Sequence, residues 1–289
     1  MPTGGRAGTR GVAPLFASVN DRLADPVVAL ATRWRPDLVL YEPLAVAGAL
    51  AAATVGVPAV LHENTLYDGP TLVRVTSARM GAALRRHGIA ALPADAATIA
   101  IAPPSVVPGR AGWPMRPVPH ADGGLDLPAP ERPRVVVSRS TVRASGGGLM
   151  PVVARVAGAV DAEFVFLNPD KGTRLPANAR AVTWAPMPAL LDTSTAVIHH
   201  GGAGTAIAGL CAGVPQLVVN GTGDRRHNAS LIAARGAGLA TEERDITADL
   251  ITRLLTAADL RTAAAEVRAE VAALPEPSTL VPRLESLTR

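Results

Sequence analysis

The chain has 289 residues, of which 48% are hydrophobic and 18% charged, and its formal net charge is +4. This length and composition indicate a well-buried globular protein of two α/β domains and exclude a disordered chain. Nearly all the positive charge is arginine, because Lys171 is the single lysine, and no basic run is interleaved with aromatic residues. A nucleic acid is therefore excluded as a predicted partner.

The single cysteine and the apolar stretches exclude further classes. Cys211 lies in an apolar helical pattern, so we predict a buried, inert thiol with no disulfide and no metal cluster. The N-terminal residues lack the apolar core of a secretory signal, and the longest weakly polar stretch, 44–60, is broken by Gly48, Gly56 and Pro58. We therefore predict a cytoplasmic protein with no membrane partner and no metal.

The first part of the chain alternates between helix and strand signals. Helical spacing at 19–34, 45–56 and 71–88 is separated by short apolar runs at 36–41 and 58–63, which predict buried strands. A strand, a helix and a second strand in this order predict a parallel pair with a right-handed crossover.

Repeated prolines between 103 and 133, together with Gly123 and Gly124, break any regular pattern and indicate a linker. We place the domain boundary near Gly123, which gives an N-terminal domain of 1–122 and a C-terminal domain of 123–289.

The second part of the chain predicts a doubly wound parallel sheet, since strands again alternate with helices. Predicted strands are 134–138, 162–167, 180–184, 195–200 and 215–220, with helices at 147–160 and up to Cys211 and a largely helical remainder through Ala273. The N-terminal domain shows only two clear strands, too few for the sheet that its helices would need, so we predict that this domain is incomplete.

The segment HHGGAGT, residues 199–205, joins a predicted strand to a predicted helix. Such a turn presents unpaired amides and the positive end of the helix dipole, and its glycines let the backbone approach an anion closely. Thr205 can donate a hydroxyl, and His200 a ring N–H. The spacing differs from dinucleotide-binding and ATP-binding glycine motifs, so we predict a diphosphate site. The alternative is a tight turn with no ligand.

The text around this turn, residues 183–239, resembles the donor-binding signature of GT-B glycosyltransferases. The resemblance is to the actinobacterial subgroup that attaches deoxysugars to antibiotics and other polyketides, of macrolide and enediyne type. It extends to further blocks at 35–60, 97–108, 115–124, 132–142 and 267–287.

This resemblance implies an α/β fold of GT-B type, with two Rossmann-like doubly wound domains. It implies inverting transfer of a deoxysugar from a nucleoside-diphosphate donor, most readily a dTDP-sugar, to a polyketide-like small molecule. The nucleotide-diphosphosugar is then a co-substrate, and no cofactor is predicted.

The resemblance also assigns residues to the donor. His200, Gly202, Ala203, Gly204 and Thr205 match the positions that hold the diphosphate, whereas His199 is expected to point elsewhere.

Trp184 and Met187 match the segment that stacks on or pairs with the nucleobase; the alternative for Trp184 is a plain core aromatic. Ser138 and Thr141 belong to the loop that faces the phosphates in the family. Relatives read Leu-Gly-Thr where this chain has Arg-Ser-Thr at 139–141.

Asp224 and Arg225 match an acid and a glutamine that contact sugar hydroxyls in the family. Arginine in place of glutamine is a departure that bears on which sugar is preferred. The alternative for this segment is a solvated turn.

Inverting transfer needs a base to take the proton of the acceptor hydroxyl. Glu42 matches the acid that supports this base in the family; the alternative is a strand-end acid in an ordinary polar contact. No histidine matches the base, and His62, His87 and His120 are the other histidines of this part of the chain. The family blocks begin after the point where further N-terminal residues stand in relatives, so an N-terminal truncation is predicted.

Three interpretations remain open: a shortened form of a full enzyme, a remnant that binds the sugar nucleotide without turnover, or an enzyme that obtains a base or a lobe from a partner. The predicted incomplete sheet would expose apolar edges, which could pair with a second copy or an auxiliary protein. A lipid-linked cell-wall transferase is disfavoured, because no basic-apolar membrane face is visible.

Overall fold

The computed structural model describes residues 4–140 and 148–289. The chain forms two compact units. The first comprises the chain up to Ala102 together with Gly109–Arg116 and Leu274–Arg289; the second comprises Pro103–Pro108 and Pro117–Ala273.

The first unit contains a four-stranded parallel sheet in the order β1-β2-β3-β4. Its elements are α1 (Gly4–Trp34), β1 (Val39–Tyr41), α2 (Val46–Val55), β2 (Ala59–Glu63), α3 (Gly69–Ser77), α4 (Gly81–Arg86), β3 (Ala97–Ala100), β4 (Trp113–Pro114) and α11 (Pro277–Glu285). The prediction of a parallel β1–β2 pair is confirmed, but the prediction of only two strands is wrong. β3 and β4 were missed because each is short and β4 includes a proline.

Local chemistry sets the helix ends of this unit. Gly56 caps the end of α2 and has the left-handed φ of 75° that glycine adopts without a steric penalty. The predicted single helix over 71–88 is two helices. The Asp68 side chain caps the first of them by accepting a 2.9 Å hydrogen bond from the Thr71 amide.

The predicted C-terminal domain of 123–289 included the last helix, α11. In the structure α11 belongs to the first unit. Leu280 is buried against Val60 and Ile99, and the Arg283 guanidinium lies 4.0 Å from the centre of the Trp113 ring. Sequence order alone does not reveal such a return of the chain.

β1 lies at the edge of the first sheet. Apolar side chains are exposed around it, including Leu40 at 50% and Trp34 at 74%. Apolar exposure at a strand edge is what the sequence predicted for this part of the chain.

The second unit contains a six-stranded parallel sheet in the order β10-β9-β8-β5-β6-β7. Its elements are β5 (Arg134–Ser138), α5 (Leu149–Ala157), β6 (Glu163–Leu167), β7 (Ala179–Val182), α6 (Met187–Asp192), β8 (Ala196–His199), α7 (Ala203–Ala212), β9 (Gln216–Val219), α8 (Arg225–Arg235), β10 (Gly238–Thr241), α9 (Ala248–Thr256) and α10 (Ala258–Ala273). The predicted doubly wound sheet is confirmed. The edge strand β10 was missed.

Helices cover both faces of this second sheet. Val135 and Val137 of β5 pack on one face with residues of α5 and α9, while Val136 packs on the other face with residues of α6 and α7. Burial on both faces explains why each of β5, β8 and β9 contains a run of three consecutive apolar residues. The strand order reverses between β5 and β8, and ligands of such sheets bind at the carboxyl ends of the strands at this switch point.

Among residues 4–140 and 148–289, no helix has the length and apolar character needed to cross a membrane.

Candidate active site

A cavity of about 450 Å³ opens at the switch point of the second sheet. Its wall is formed by the carboxyl ends of β5 and β6 and the residues after them, by the β8–α7 turn with the start of α7, and by the segment between β7 and α6 with its first residue, Met187. The lining residues are Ser138, Arg139, Ser140, Leu167, Asn168, Thr183, Trp184, Ala185, Met187, His200, Gly202, Gly204 and Thr205. The cavity therefore lies where the parallel sheet directs a ligand.

The turn from β8 into α7 points the start of a helix into this cavity. Gly201 has a left-handed φ of 83°, and Gly202 is the N-cap residue and has no side chain that could cap the helix. The first hydrogen bond within the helix joins the Ala206 amide to the Gly202 carbonyl at 3.0 Å. The amides of the residues between them thus belong to the unpaired set at a helix start, which favours an anion.

His199 holds this turn from inside the protein. Its ring is fully buried. Its Nδ1 accepts a 3.1 Å hydrogen bond from the Gly201 amide, so its Nε2–H donates to the Gln216 side-chain oxygen at 2.8 Å. Burial lowers the pKa of His199 to about 3. The neutral ring is thus a structural acceptor, and it points away from the cavity as the sequence predicted.

His200 lines the cavity. Its Nδ1 is buried and has no hydrogen-bond partner among the described residues. Burial lowers the pKa of His200, and the positive charge of Arg225 lowers it further. His200 is therefore held mainly in its neutral form at neutral pH.

The comparisons with known proteins agree with this geometry. The family model for "Erythromycin biosynthesis protein CIII-like, C-terminal domain" matches residues 151–287, and the corresponding N-terminal model matches residues 6–120. The elloramycin glycosyltransferase ElmGT of Streptomyces olivaceus is 37% identical over 96% of this chain and 75% of its own length. The chain belongs to the erythromycin CIII-like family of glycosyltransferases. It is a glycosyltransferase of the antibiotic-biosynthesis type.

Solved structures of similar proteins show the same fold, and the predicted GT-B fold is confirmed. The glycosyltransferase SnogD from Streptomyces nogalater has a TM-score of 0.84 at 35% identity, covering 97% of this chain and 82% of SnogD. The glycosyltransferase VinC, solved in complex with dTDP, has a TM-score of 0.80 at 29% identity, covering 97% of this chain and 80% of VinC.

Most residues that the sequence predicted for the donor line the cavity of this CIII-like chain: Ser138, Trp184, Met187, His200, Gly202, Gly204 and Thr205. Ala203 is the first residue of α7, between two of the lining glycines. Thr141 lies outside the described residues.

Trp184 is 57% exposed, so the alternative of a core aromatic is wrong. Its ring also covers Gly123, where an added Cβ would lie 2.8 Å from the indole. The exposed indole forms part of the cavity wall and can offer a flat surface to a ligand.

Asp224 and Arg225 are not among the residues that line the cavity of the CIII-like site. Arg225 opens α8, and its Cβ lies 3.0 Å from the position that a Cβ on Gly201 would take. The Asn228 amide nitrogen donates to an Asp224 carboxylate oxygen at 2.9 Å. The segment is therefore packed against the β8–α7 turn and is not a loose solvated turn.

Sequence reasoning missed Arg139 and Asn168. The Arg139 Nε donates to the Asn168 carbonyl at 2.6 Å. Asn168 has a left-handed φ of 46°, and its amide donates to the Val182 carbonyl at 2.7 Å. Both residues directly follow predicted strands, so the rule that ligands gather at strand ends could have found them.

In the first unit, Glu42 directly follows β1, and its carboxylate accepts a 3.1 Å hydrogen bond from the Leu44 amide. This is the polar contact that the alternative interpretation predicted; a supporting role in catalysis stays a prediction.

The other histidines named from the sequence have different surroundings. The Nε2 atom of His62 is buried and has no hydrogen-bond partner among the described residues, and burial lowers the pKa of this ring. His87 is within 2.9 Å of the Asp25 carboxylate. His120 is exposed, 3.5 Å from Asp122. Within the described ranges, no group of three or more histidine, cysteine or acidic side chains is arranged to hold a metal.

A buried ion pair at the end of β2 was also missed. The Glu63 carboxylate accepts from the Arg110 guanidinium at 2.6 Å and from the Gly69 amide at 3.0 Å. Arg110 also donates to the carbonyls of Leu66 and Tyr67. Burial raises the pKa of Glu63, and Arg110 opposes the rise. The pair fixes the loop between β2 and α3. No short sequence motif predicts this ion pair, because its two residues are far apart in the chain.

Proposed function

We propose that this glycosyltransferase transfers a deoxysugar from a dTDP-sugar to a polyketide-like acceptor, with inversion at the anomeric carbon. One observation carries the proposal: the start of α7 opens into a cavity of about 450 Å³ that also has an exposed indole on its wall. A diphosphate and a nucleobase require this combination of a helix terminus and a flat apolar surface. The dTDP in the VinC structure supports the choice of nucleotide.

Under this proposal, the residues of the cavity bind different parts of the donor. The amides of Ala203, Gly204 and Thr205 at the start of α7 donate hydrogen bonds that stabilise the negative charge that builds on the leaving diphosphate. Trp184, in the segment before α6, and Met187, the first residue of α6, contact the nucleobase. Ser138 lies at the end of β5 and lines the phosphate side of the cavity.

On the acceptor side, the transfer needs a base that removes the hydroxyl proton as the oxygen attacks. Glu42 is assigned as an acid that supports this base. A polyketide-like acceptor is supported by the family and by the elloramycin glycosyltransferase among the relatives.

A second candidate role is binding of the sugar nucleotide without turnover. It is favoured by the burial of the His62 Nε2 and by the engagement of His87 with Asp25, which leave neither ring presented as an obvious base. Both roles share the same donor cavity.

Titration calorimetry with dTDP and with UDP tests the donor assignment. We expect dTDP to bind, and no heat from either nucleotide at millimolar concentration would reject it. Product formation from a dTDP-sugar and a supplied aglycone then separates transfer from binding alone, and the anomeric configuration of the product tests inversion.

A further inference from the structure

Of the described residues that line the donor cavity, Arg139 is the only one with a charged side chain. The others are apolar residues, glycines and uncharged polar residues, and the one lining histidine, His200, has a pKa that burial lowers. The described wall of the cavity therefore presents one positive charge and no acid. A wall of this kind favours an anionic ligand.

The sheet places Arg139 beside the turn that leads into α7. Strand β5 lies between β8 and β6, and its last residue, Ser138, pairs with the last residues of both neighbours. The next residues along the three strands are Arg139 after β5, His200 after β8 and Asn168 after β6. Adjacent strands are about 4.8 Å apart. Arg139 thus occupies the middle of a row of residues at the carboxyl edge of the sheet.

Two carbonyls hold the guanidinium of Arg139 at the cavity wall. Its Nε donates to the Asn168 carbonyl at 2.6 Å, and its Nη1 donates to the Ser140 carbonyl at 3.3 Å. Both carbonyls belong to lining residues. Because a carbonyl has no net charge, these two bonds orient the guanidinium without neutralising it.

Asp170 opposes the charge of Arg139 only in part. Its carboxylate lies 3.6 Å from the Arg139 Nε, which is beyond hydrogen-bond distance, and its side chain is 45% exposed. Water and salt screen the attraction between groups that are this exposed. The wall therefore keeps a positive charge that a bound anion can use.

The start of α7 does not balance a diphosphate by itself. A helix start contributes only about half an elementary charge, and a diphosphate carries more negative charge than that. A guanidinium has five N–H donors in one plane and no acceptor. This geometry suits the oxygens of a phosphate, and the charge strengthens each hydrogen bond.

We infer that Arg139 binds the donor's diphosphate, together with the amides at the start of α7. This inference rests on the proposed function, because it needs a sugar nucleotide in the cavity. The leucine that relatives carry at this position has no charge and no donor. Arginine therefore gives this chain an ionic contact with the donor that a leucine cannot make.

The other end of the same strand supplies a matched control. Arg132 precedes β5, its side chain is 51% exposed, and it lies 3.6 Å from the Asp161 carboxylate. Arg132 is not among the lining residues. Arg139→Gln and Arg132→Gln therefore each remove one positive charge near one aspartate, but only the first removes it from the cavity.

The test is titration calorimetry of the full chain with dTDP and with thymidine, at low and at raised salt. We expect Arg139→Gln to weaken dTDP binding by about 10- to 100-fold, the range that hydrogen bonds to charged groups contribute. Thymidine binding should stay unchanged in this variant, and the salt dependence of dTDP binding should decrease. Arg132→Gln should bind dTDP like the unmodified chain. Arg139→Lys should lose less affinity than Arg139→Gln and should keep the salt dependence.

The outcomes separate this inference from the proposed function. If the unmodified chain binds dTDP and Arg139→Gln binds it equally well, Arg139 does not bind the diphosphate, while the donor assignment stands. An equal loss of dTDP binding in Arg132→Gln, or an equal loss of thymidine binding in Arg139→Gln, would also overturn the inference. If the unmodified chain does not bind dTDP, both proposals fail. Melting curves check folding, and Arg139→Leu, which introduces the leucine of relatives, decides the question if Arg139→Gln does not fold.

Discussion

The side-chain amide of Asn228 donates a 2.9 Å hydrogen bond to the carbonyl oxygen of Gly201 and thereby joins α8 to the turn between β8 and α7. Because the bond is buried, Asn228→Ala leaves that carbonyl without its partner, a loss that costs about 1–3 kcal/mol. We expect a lower free energy of unfolding and weaker dTDP binding, measured by urea denaturation and calorimetry. Ser230→Ala in the same helix, where the side chain is exposed, is the control and should change neither. Unchanged dTDP affinity in Asn228→Ala would contradict a role in shaping the site.

Gly202 is needed for space and not for its backbone angles. Its φ of −66° suits any residue, but an added Cβ would overlap the Nε2 of His200. We expect Gly202→Ala to displace the His200 ring and to lower the melting temperature, because forcing atoms into a packed site typically costs about 1–3 kcal/mol. Gly204→Ala is the matched variant, since a Cβ there meets nothing within 4 Å, and its melting temperature should not fall. Equal melting temperatures for the two variants would contradict this explanation.

We expect Trp184 to bind the nucleobase of the donor and not its phosphates. We expect Trp184→Ala to weaken both thymidine and dTDP binding, because stacking of a base on an aromatic ring contributes about 1–3 kcal/mol. Trp34→Ala is the control, because that indole is 74% exposed in the first unit. If Trp184→Ala binds thymidine as tightly as the unmodified chain does, Trp184 does not contact the nucleobase.

The sequence predicted those parts of the fold whose local pattern reports their environment. β5, β8 and β9 are buried on both faces, so each contains a run of consecutive apolar residues. β10 and β4 lie at the ends of their sheets and are short, so their patterns are weak. The return of α11 to the first unit depends on contacts of Leu280 and Arg283 that are distant in sequence.

The same distinction applies to the site. The turn at 199–205 was visible because glycines and a histidine occur together between a strand and a helix. Arg139 and Asn168 are single residues, and only their position directly after predicted strands marks them. The placement of Arg225 depends on the glycines at 201 and 221, which only the packing of two turns brings together.

The buried ring of His199 should make the stability of the protein depend on pH. Its pKa is lowered from 6.5 to about 3, so below pH 6.5 the unfolded chain binds a proton that the folded protein does not. The stabilisation by this neutral ring is complete above pH 6.5 and is lost as the pH falls towards 3, by at most about 1.4 kcal/mol per pH unit.

Urea denaturation between about pH 5 and pH 8 measures this slope. His62 and His200 also have lowered pKa values and act in the same direction, so the informative quantity is the difference between variants. We expect His199→Gln to be less stable at pH 8, because the buried contacts of this ring with Gly201 and Gln216 are disturbed, and to show a smaller slope below pH 6.5. His120→Gln, at an exposed position, should keep the slope of the unmodified chain. If His199→Gln keeps it as well, the ring is not neutral in the folded protein, and the acceptor role of its Nδ1 towards the Gly201 amide would be lost with it.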